Sequence, residues 1–223
     1  MKNIALSWSG GKDACMALHR LKEQGYHISF LMTTLPPGMD GRSFGHGEKK
    51  DSIEKQGHAL NIPVEFVYCS FDTYTDDFKQ QLRKLKLKYG VDTVAFGDLY
   101  LDEHRVWGEN VCNEVGLAAM YPLWMDKGES LRALEKFISS GYKAKIIKVI
   151  DAKLPQSWLG REVDEKFYLE IKDRDVCPMG ESGEYHTFVY EGPLFREQLM
   201  IKLGGVRAFE TSSRQEIQLI SPS

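Results

Sequence analysis

The chain has 223 residues, a hydrophobic fraction of 42%, a charged fraction of 27% and a net charge of −3. That is apolar material enough for one sizeable α/β domain with a smaller one attached. It argues against a surface built to hold nucleic acid through its phosphates. No apolar run approaches the ~20 residues of a bilayer span and no signal peptide is expected, so a cytoplasmic protein without membrane contact is anticipated.

Asn3–Trp8 reads as a short apolar strand, and Asp13–Gln24 has helical periodicity stopped by Gly25. His27–Leu35 is a second strand, followed by the glycine-rich stretch Pro36–Gly47, too irregular for either element. Glu48–Leu60 looks helical, Val64–Cys69 extended, Thr75–Tyr89 helical, Thr93–Phe96 extended, Leu101–Val115 helical and Ala118–Tyr121 extended. This alternation predicts a parallel sheet covered by helices on both faces. Such sheets bind ligands beyond the carboxyl ends of their strands. Later the pattern changes. Ser130–Ser140 and Glu162–Ile171 read as helices, and Ala144–Ile150, Tyr185–Tyr190, Gln198–Leu203 and Glu216–Ile220 as strands. An α/β domain over 1–125 and a smaller α+β domain over 126–223 are expected, with the boundary falling between 125 and 150.

Two features have plain structural readings. The basic run Lys79–Lys88 carries Phe78, Leu82, Leu85 and Tyr89 at helical spacing, which describes a solvated helix face. Cys15, Cys69, Cys112 and Cys177 show no C-x-x-C spacing, so neither a zinc knuckle nor a redox pair is indicated.

The first strand runs directly into Ser9, Gly10, Gly11, Lys12 and Asp13 before the chain turns helical. The glycines let the backbone approach a ligand closely. Amide groups at a helix start attract phosphate, helped by the helix dipole, and Lys12 adds a charge. A Walker-A loop is excluded, because Leu6 stands where its first glycine should be and Asp13 where its hydroxyl should be. No G-x-G-x-x-G follows the strand. A carboxylate at Asp13 makes sense beside phosphate if Mg²⁺ sits between them.

This pentapeptide resembles the PP-loop of the ATP pyrophosphatases, S-G-G-[KVF]-D-S. The resemblance implies a five-stranded parallel sheet of the adenine-nucleotide α-hydrolase (HUP) type. It also implies a loop that grips the β- and γ-phosphates and leaves the α-phosphorus open, so that ATP is split into AMP and pyrophosphate. Ala14 replaces the final serine, which removes one side-chain contact and leaves its backbone N–H.

Further constellations narrow the resemblance. Gly97 and Asp98 end a predicted strand, with His104, Arg105 and Glu109 on the helix that follows; Arg105 and Glu109 are i,i+4 partners. Trp158, Leu159, Gly160 and Arg161 form a second group. Residues 177–188 (CPMGESGEYHTF) hold Glu181, Glu184 and His186 in a glycine-punctuated turn, a costly set to pack without purpose. With Gly45 and His46, and with Gly180, Gly183 and Thr187, these pieces resemble, in order, the diphthine–ammonia ligase family.

The resemblance implies ATP, Mg²⁺ and ammonia, and an acyl-adenylate formed on the carboxylate of diphthine, the modified histidine of elongation factor 2. Ser9, Gly10, Gly11, Lys12 and Ala14 would hold pyrophosphate, and Asp13 the metal. The backbone around Thr33 would frame adenine, and Gly97 and Asp98 would lie near the ribose or α-phosphate. His46, His104, Arg105, Glu109, Trp158, Gly180, Gly183 and Thr187 would surround the acceptor. Arg161 would neutralise the carboxylate, and Glu181, Glu184 or His186 would take the proton from ammonium. No glutaminase portion is expected, so free ammonia or a partner protein would supply nitrogen. A family member with another carboxylate, a nucleotide hydrolase, a PP-loop tRNA-modifying enzyme and a passive nucleotide-binding module are the alternatives. The first two gain weight in a bacterial host, where diphthine is absent. Oligomeric state carries no signature, and a homo-oligomer stays open.

Overall fold

The computed structural model of the chain describes residues 3–38 and 41–220. It divides into two compact units: residues up to Ser9 with Asp13–Trp124, and Gly10–Lys12 with the chain from Met125 onward.

The first unit is a parallel sheet with helical crossovers. Its elements are β1 (Asn3–Ser7), α1 (Lys12–Glu23, whose first residue groups with the second unit), β2 (His27–Leu35), α2 (Lys50–Leu60), β3 (Val64–Tyr68), α3 (Tyr74–Tyr89), β4 (Thr93–Ala95), α4 (Asp102–Val115) and β5 (Ala118–Met120). The strand order is β3-β2-β1-β4-β5, and every pairing is parallel. Ile4, Ala5 and Leu6 are all fully buried, which requires cover on both faces of the central strand. Phe30, Met32, Val67 and Val94 from the sheet pack with Phe78, Leu82 and Leu85 of α3 and Val111 and Cys112 of α4. The chain reverses direction across the sheet between β1 and β4, so a crevice opens where their carboxyl ends diverge.

The basic face of α3 is occupied with local work. Lys86 Nζ donates to the carbonyls of Val115 and Gly116 at 3.0 and 2.9 Å, where a cation suits the end of α4. Lys79 pairs with Asp76 and Glu114, and Lys88 with Glu65. Helix α2 begins two residues later than its composition suggests. Ser43 ties down Glu48 first: its N–H donates to the Glu48 carbonyl and its Oγ accepts the Glu48 N–H. The part of the glycine-rich stretch from Arg42 onward is therefore a closed loop, bridged at Arg42 and Lys49 and anchored by Phe44 against Phe71 and Tyr74. Met39 and Asp40 of that stretch lie outside the described residues.

The second unit contains α5 (Ser130–Ser139), β6 (Lys143–Ile150), α6 (Glu165–Ile171), β7 (Tyr185–Glu191), β8 (Ile201–Ala208) and β9 (Ser212–Leu219). Its strands form an antiparallel sheet ordered β7-β6-β9-β8. Helix α6 starts at Glu165 rather than Glu162, because the Asp164 carboxylate accepts the Phe167 N–H at 2.9 Å and caps it. The last two strands are longer than the sequence pattern suggests. Gly204 and Gly205 sit at a register shift in β8 and interrupt its alternation. In β9, Ser212, Ser213, Arg214 and Gln215 are polar yet buried, so hydropathy misses them.

Candidate active site

In the first unit the site begins at the carboxyl ends of the parallel strands. After β1, the Trp8 N–H donates to the Met32 carbonyl at 2.8 Å and its indole N–H to Gln56 Oε1 at 3.0 Å, fixing the approach to Ser9. Thr33 is buried, and its hydroxyl donates to the Trp8 carbonyl at 2.6 Å; its side chain steers this turn. Beyond β4, Gly97 passes so close to the start of α1 that an added Cβ would lie 3.2 Å from the Ala14 nitrogen. A side chain at Gly97 would press on the backbone of Asp13 and Ala14, and that backbone would have to give by a few tenths of an ångström.

A cavity of about 350 Å³ opens at these strand ends. Ser7, Thr34, Phe96 and Asp98 contribute from the sheet, and α3 adds Tyr74 and Phe78. Helix α4 closes it with Glu103, His104 and Trp107. His104 Nδ1 lies 2.9 Å from Asp98 Oδ1. Burial pushes the Tyr74 phenol up, keeping it neutral. Arg105 pairs with Glu109 at 2.8 Å on the outer face of α4 and lies over the Trp124 ring. His46 lies in the closed loop after β2, its N–H donating to the Phe44 carbonyl at 2.7 Å.

The second unit holds Gly10, Gly11 and Lys12, the middle of the candidate loop. Gly10 has φ 78°, outside the range comfortable for other residues. Its carbonyl accepts the Val189 N–H at 2.9 Å, and the Lys12 N–H donates to Thr187 Oγ1 at 3.0 Å. The Lys12 ammonium donates to the Met179 carbonyl and lies 4.7 Å from the centre of the Tyr185 ring. Lys12 is only 2% exposed, so the lysine is held by the chain rather than waving in solvent.

The 177–187 turn is shaped around the same residues. Gly180 has φ 67°, and an added Cβ would strike the Tyr185 ring at 2.8 Å. Glu184 is buried; its Oε1 accepts the Cys177 N–H at 3.1 Å, while its Oε2 has no hydrogen-bond partner among the described residues. A buried acceptor in that state has forgone water, which costs roughly 1–3 kcal/mol unless another group arrives. Glu181, Gly183 and His186 are partly exposed.

The Trp158–Arg161 stretch supports this turn from behind. Trp158 is buried, with the guanidinium groups of Arg161 and Arg174 about its ring at 5.0 and 4.8 Å. It meets Phe167 edge-on, and Phe167 meets Tyr185, the ring beneath Lys12. Arg161 grips Glu170 with both terminal nitrogens, at 2.7 and 3.0 Å. The arginine assigned from sequence to a substrate carboxylate thus already holds one of the chain's own. Across the sheet, Arg207, Arg214, Lys148 and His186 stand in register on β8, β9, β6 and β7. Burial and the neighbouring Arg214 lower the Lys148 pKa. Of this row the sequence reading named only His186, since its members are scattered over 67 positions of chain. It also missed Tyr74, Phe96 and Trp107, which at helical and strand spacing look like ordinary core.

Among the described residues no group of three or more His, Cys, Asp or Glu is arranged to hold a metal, and no helix is long and apolar enough to cross a membrane. All four cysteines are buried thiols; burial pushes Cys69 and Cys112 up to about 12.

Comparison with known proteins agrees over both units. The diphthamide synthase N-terminal domain matches residues 1–119 and the diphthamide synthase C-terminal domain residues 129–219. A diphthine–ammonia ligase of Bos taurus is 30% identical, the match covering 89% of this chain and 82% of that protein. The Homo sapiens diphthine–ammonia ligase is 29% identical with the same coverage. That of Schizosaccharomyces pombe is 27% identical over 86% of this chain and 35% of its own length. With a family domain matched over each unit and a 30% identical relative covered for most of its length, this chain belongs to the diphthamide synthase family.

Proposed function

We propose that this chain is an ATP-dependent carbon–nitrogen ligase that makes an amide from the carboxylate of diphthine on elongation factor 2. The carboxylate attacks the α-phosphorus of ATP, pyrophosphate leaves, and ammonia displaces AMP from the acyl-adenylate with loss of one proton. Membership of a family whose relatives are named diphthine–ammonia ligase is the observation that carries this reading.

Ser9, Gly10, Gly11, Lys12 and the N–H of Ala14 hold the β- and γ-phosphates, and Gly97 and Asp98 border the ribose and α-phosphate. Positioning and charge stabilisation at the α-phosphorus supply most of the rate. Mg²⁺ fits as a companion of the nucleotide rather than a resident ion. Asp13 offers a carboxylate there, no group of three or more His, Cys, Asp or Glu among the described residues is arranged to hold a metal, and Mg²⁺ is usually held by one or two carboxylates with substrate phosphates and water. When bound, it neutralises phosphate charge.

Glu184 takes the proton released as ammonia becomes an amide, because its Oε2 is buried, acceptor-only when ionised, and available. Arg161 acts behind the site, through Glu170 and Trp158. Incubation with ATP, ammonium and diphthine-bearing elongation factor 2 tests the reading. AMP, pyrophosphate and amide in equal amounts are expected, whereas ADP as product rejects it.

A further inference from the structure

The antiparallel sheet carries a row of charge that the ligase reading does not use. Arg207 on β8 stands directly opposite Arg214 on β9, and Arg214 directly opposite Lys148 on β6. Residues opposite one another across a strand pair project from the same face, and like charges placed in this way repel. Arg214 is only 5% exposed, which adds the cost of taking a charge out of water. Lys148 responds to both influences: burial and the neighbouring Arg214 lower its pKa. Glu216, two positions along β9 and so on the same face, offsets part of the charge. It lies 3.5 Å from Arg207 Nε and 3.8 Å from Arg214 Nε. Neutral side chains at these three positions would pair without repulsion, and a local rule broken in this way marks a functional surface.

Spacing and position say which anion suits the row. Adjacent strands lie about 5 Å apart, so a single carboxylate spans two neighbouring cations, whereas an anion with two phosphoryl groups reaches all three. Guanidinium groups also match phosphoryl oxygens with paired hydrogen bonds. The row continues to the edge of the sheet, where Lys148 faces His186 on β7. The next residue, Thr187, accepts the Lys12 N–H, and Val189 donates its N–H to the Gly10 carbonyl. Gly10, Gly11 and Lys12 belong to the same unit as the sheet. The candidate phosphate loop therefore lies along the edge strand at which the row of cations ends. That adjacency favours a phosphate ligand over an acidic peptide.

We propose that Arg207, Arg214 and Lys148 form a second phosphate-binding site, beside the loop, that takes inorganic pyrophosphate. In turnover the row receives the pyrophosphate that the loop releases. This role in turnover rests on the ligase reading; the binding of pyrophosphate by the row does not.

Calorimetric titration of the full chain with inorganic pyrophosphate, without nucleotide, tests the site. Sub-millimolar binding is expected, and it persists in Lys12→Met, where the loop has lost its charge. Lys148→Gln weakens it by roughly tenfold. Arg207→Gln, at an exposed position, weakens it several-fold in the otherwise unaltered chain, so the result does not depend on a variant that misfolds. Lys148→Gln also relieves the repulsion from Arg214, so its urea midpoint rises while its pyrophosphate affinity falls. A lowered midpoint with unchanged affinity makes the row architectural and overturns the proposal. Abolition of binding by Lys12→Met overturns it too, giving pyrophosphate to the loop alone. Equal affinity for an oligoglutamate peptide does the same, in favour of an acidic chain. None of these readouts uses turnover: pyrophosphate bound by the row in a chain that makes no AMP leaves the site standing and sinks the ligase reading instead.

Discussion

The two sheets of this protein present chemistry in different ways. In the parallel sheet the candidate groups sit at strand ends and helix starts: Ser9, Asp13, Gly97 and Asp98 all come after a strand, while the strands supply apolar core through residues such as Ile4, Ala5, Leu6, Phe30, Met32 and Val94. In the antiparallel sheet the strands carry polar groups inward. Thr187 on β7 and Arg214 on β9 are buried side chains in mid-strand, and Glu184 immediately precedes β7. The difference teaches where substitutions are tolerated. A parallel sheet buried on both faces leaves function to its loops, whereas an antiparallel sheet can lend a whole face to a site.

The largest expected effect tests whether the phosphate loop is electrostatic or merely structural. Lys12→Met keeps the packing over Tyr185 and removes the charge; AMP-forming turnover falls on the order of 10³-fold, near the upper range for loss of one preorganised donor. A fall of less than fivefold would show that Lys12 serves the architecture of the turn, through Met179 and Tyr185, rather than the chemistry.

Next comes Glu184→Gln. The amide oxygen can still accept the Cys177 N–H, so the fold is retained, but the proton acceptor is gone. Amide formation drops by roughly 10²-fold, while acceptor-dependent ATP–pyrophosphate exchange persists. Parallel loss of both would assign Glu184 to the turn's architecture.

In the first unit, Gly97→Val pushes a branched side chain against the start of α1. Overpacking of this kind costs about 1–3 kcal/mol, read as a lowered urea midpoint. An unchanged midpoint would mean that the start of α1 is free to move away from Gly97.

The smallest effect concerns Arg161 and Glu170. Hydrogen bonding from Arg161 holds the Glu170 carboxyl below its usual pKa. A depressed folded-state pKa contributes stability above the unfolded value, near 4.3, and loses it as pH falls through the folded value. The difference in urea midpoint between the wild type and Glu170→Gln should therefore shrink as pH drops below about 4. A gap that stays constant down to pH 2 would exclude the charged pair as its source.

The alternation of apolar segments carried the first unit almost entirely. β2 spans His27–Leu35 as its pattern predicts, and the spacing of Phe78, Leu82 and Leu85 located the buried face of α3. The family was legible too, because the loop, the Trp158–Arg161 stretch and the Gly180–Thr187 turn are local strings in a fixed order. β8 and β9 were less legible, for Gly204, Gly205 and the polar run Ser212–Gln215 hide strand character that only pairing partners reveal.

By itself the sequence determined most of the segments that are helix or strand, and it pointed to five residues as a candidate phosphate cradle, since both readings depend on neighbours a few positions away. Tertiary structure alone decided the strand order and the ring of aromatic side chains around the cavity. It also decided that Lys12 and Thr187, 175 positions apart, are joined by a hydrogen bond. The physical reason is range. Periodicity and turn chemistry act within a helical turn or a hairpin, but a buried polar group is satisfied by whatever partner the folded chain brings to it.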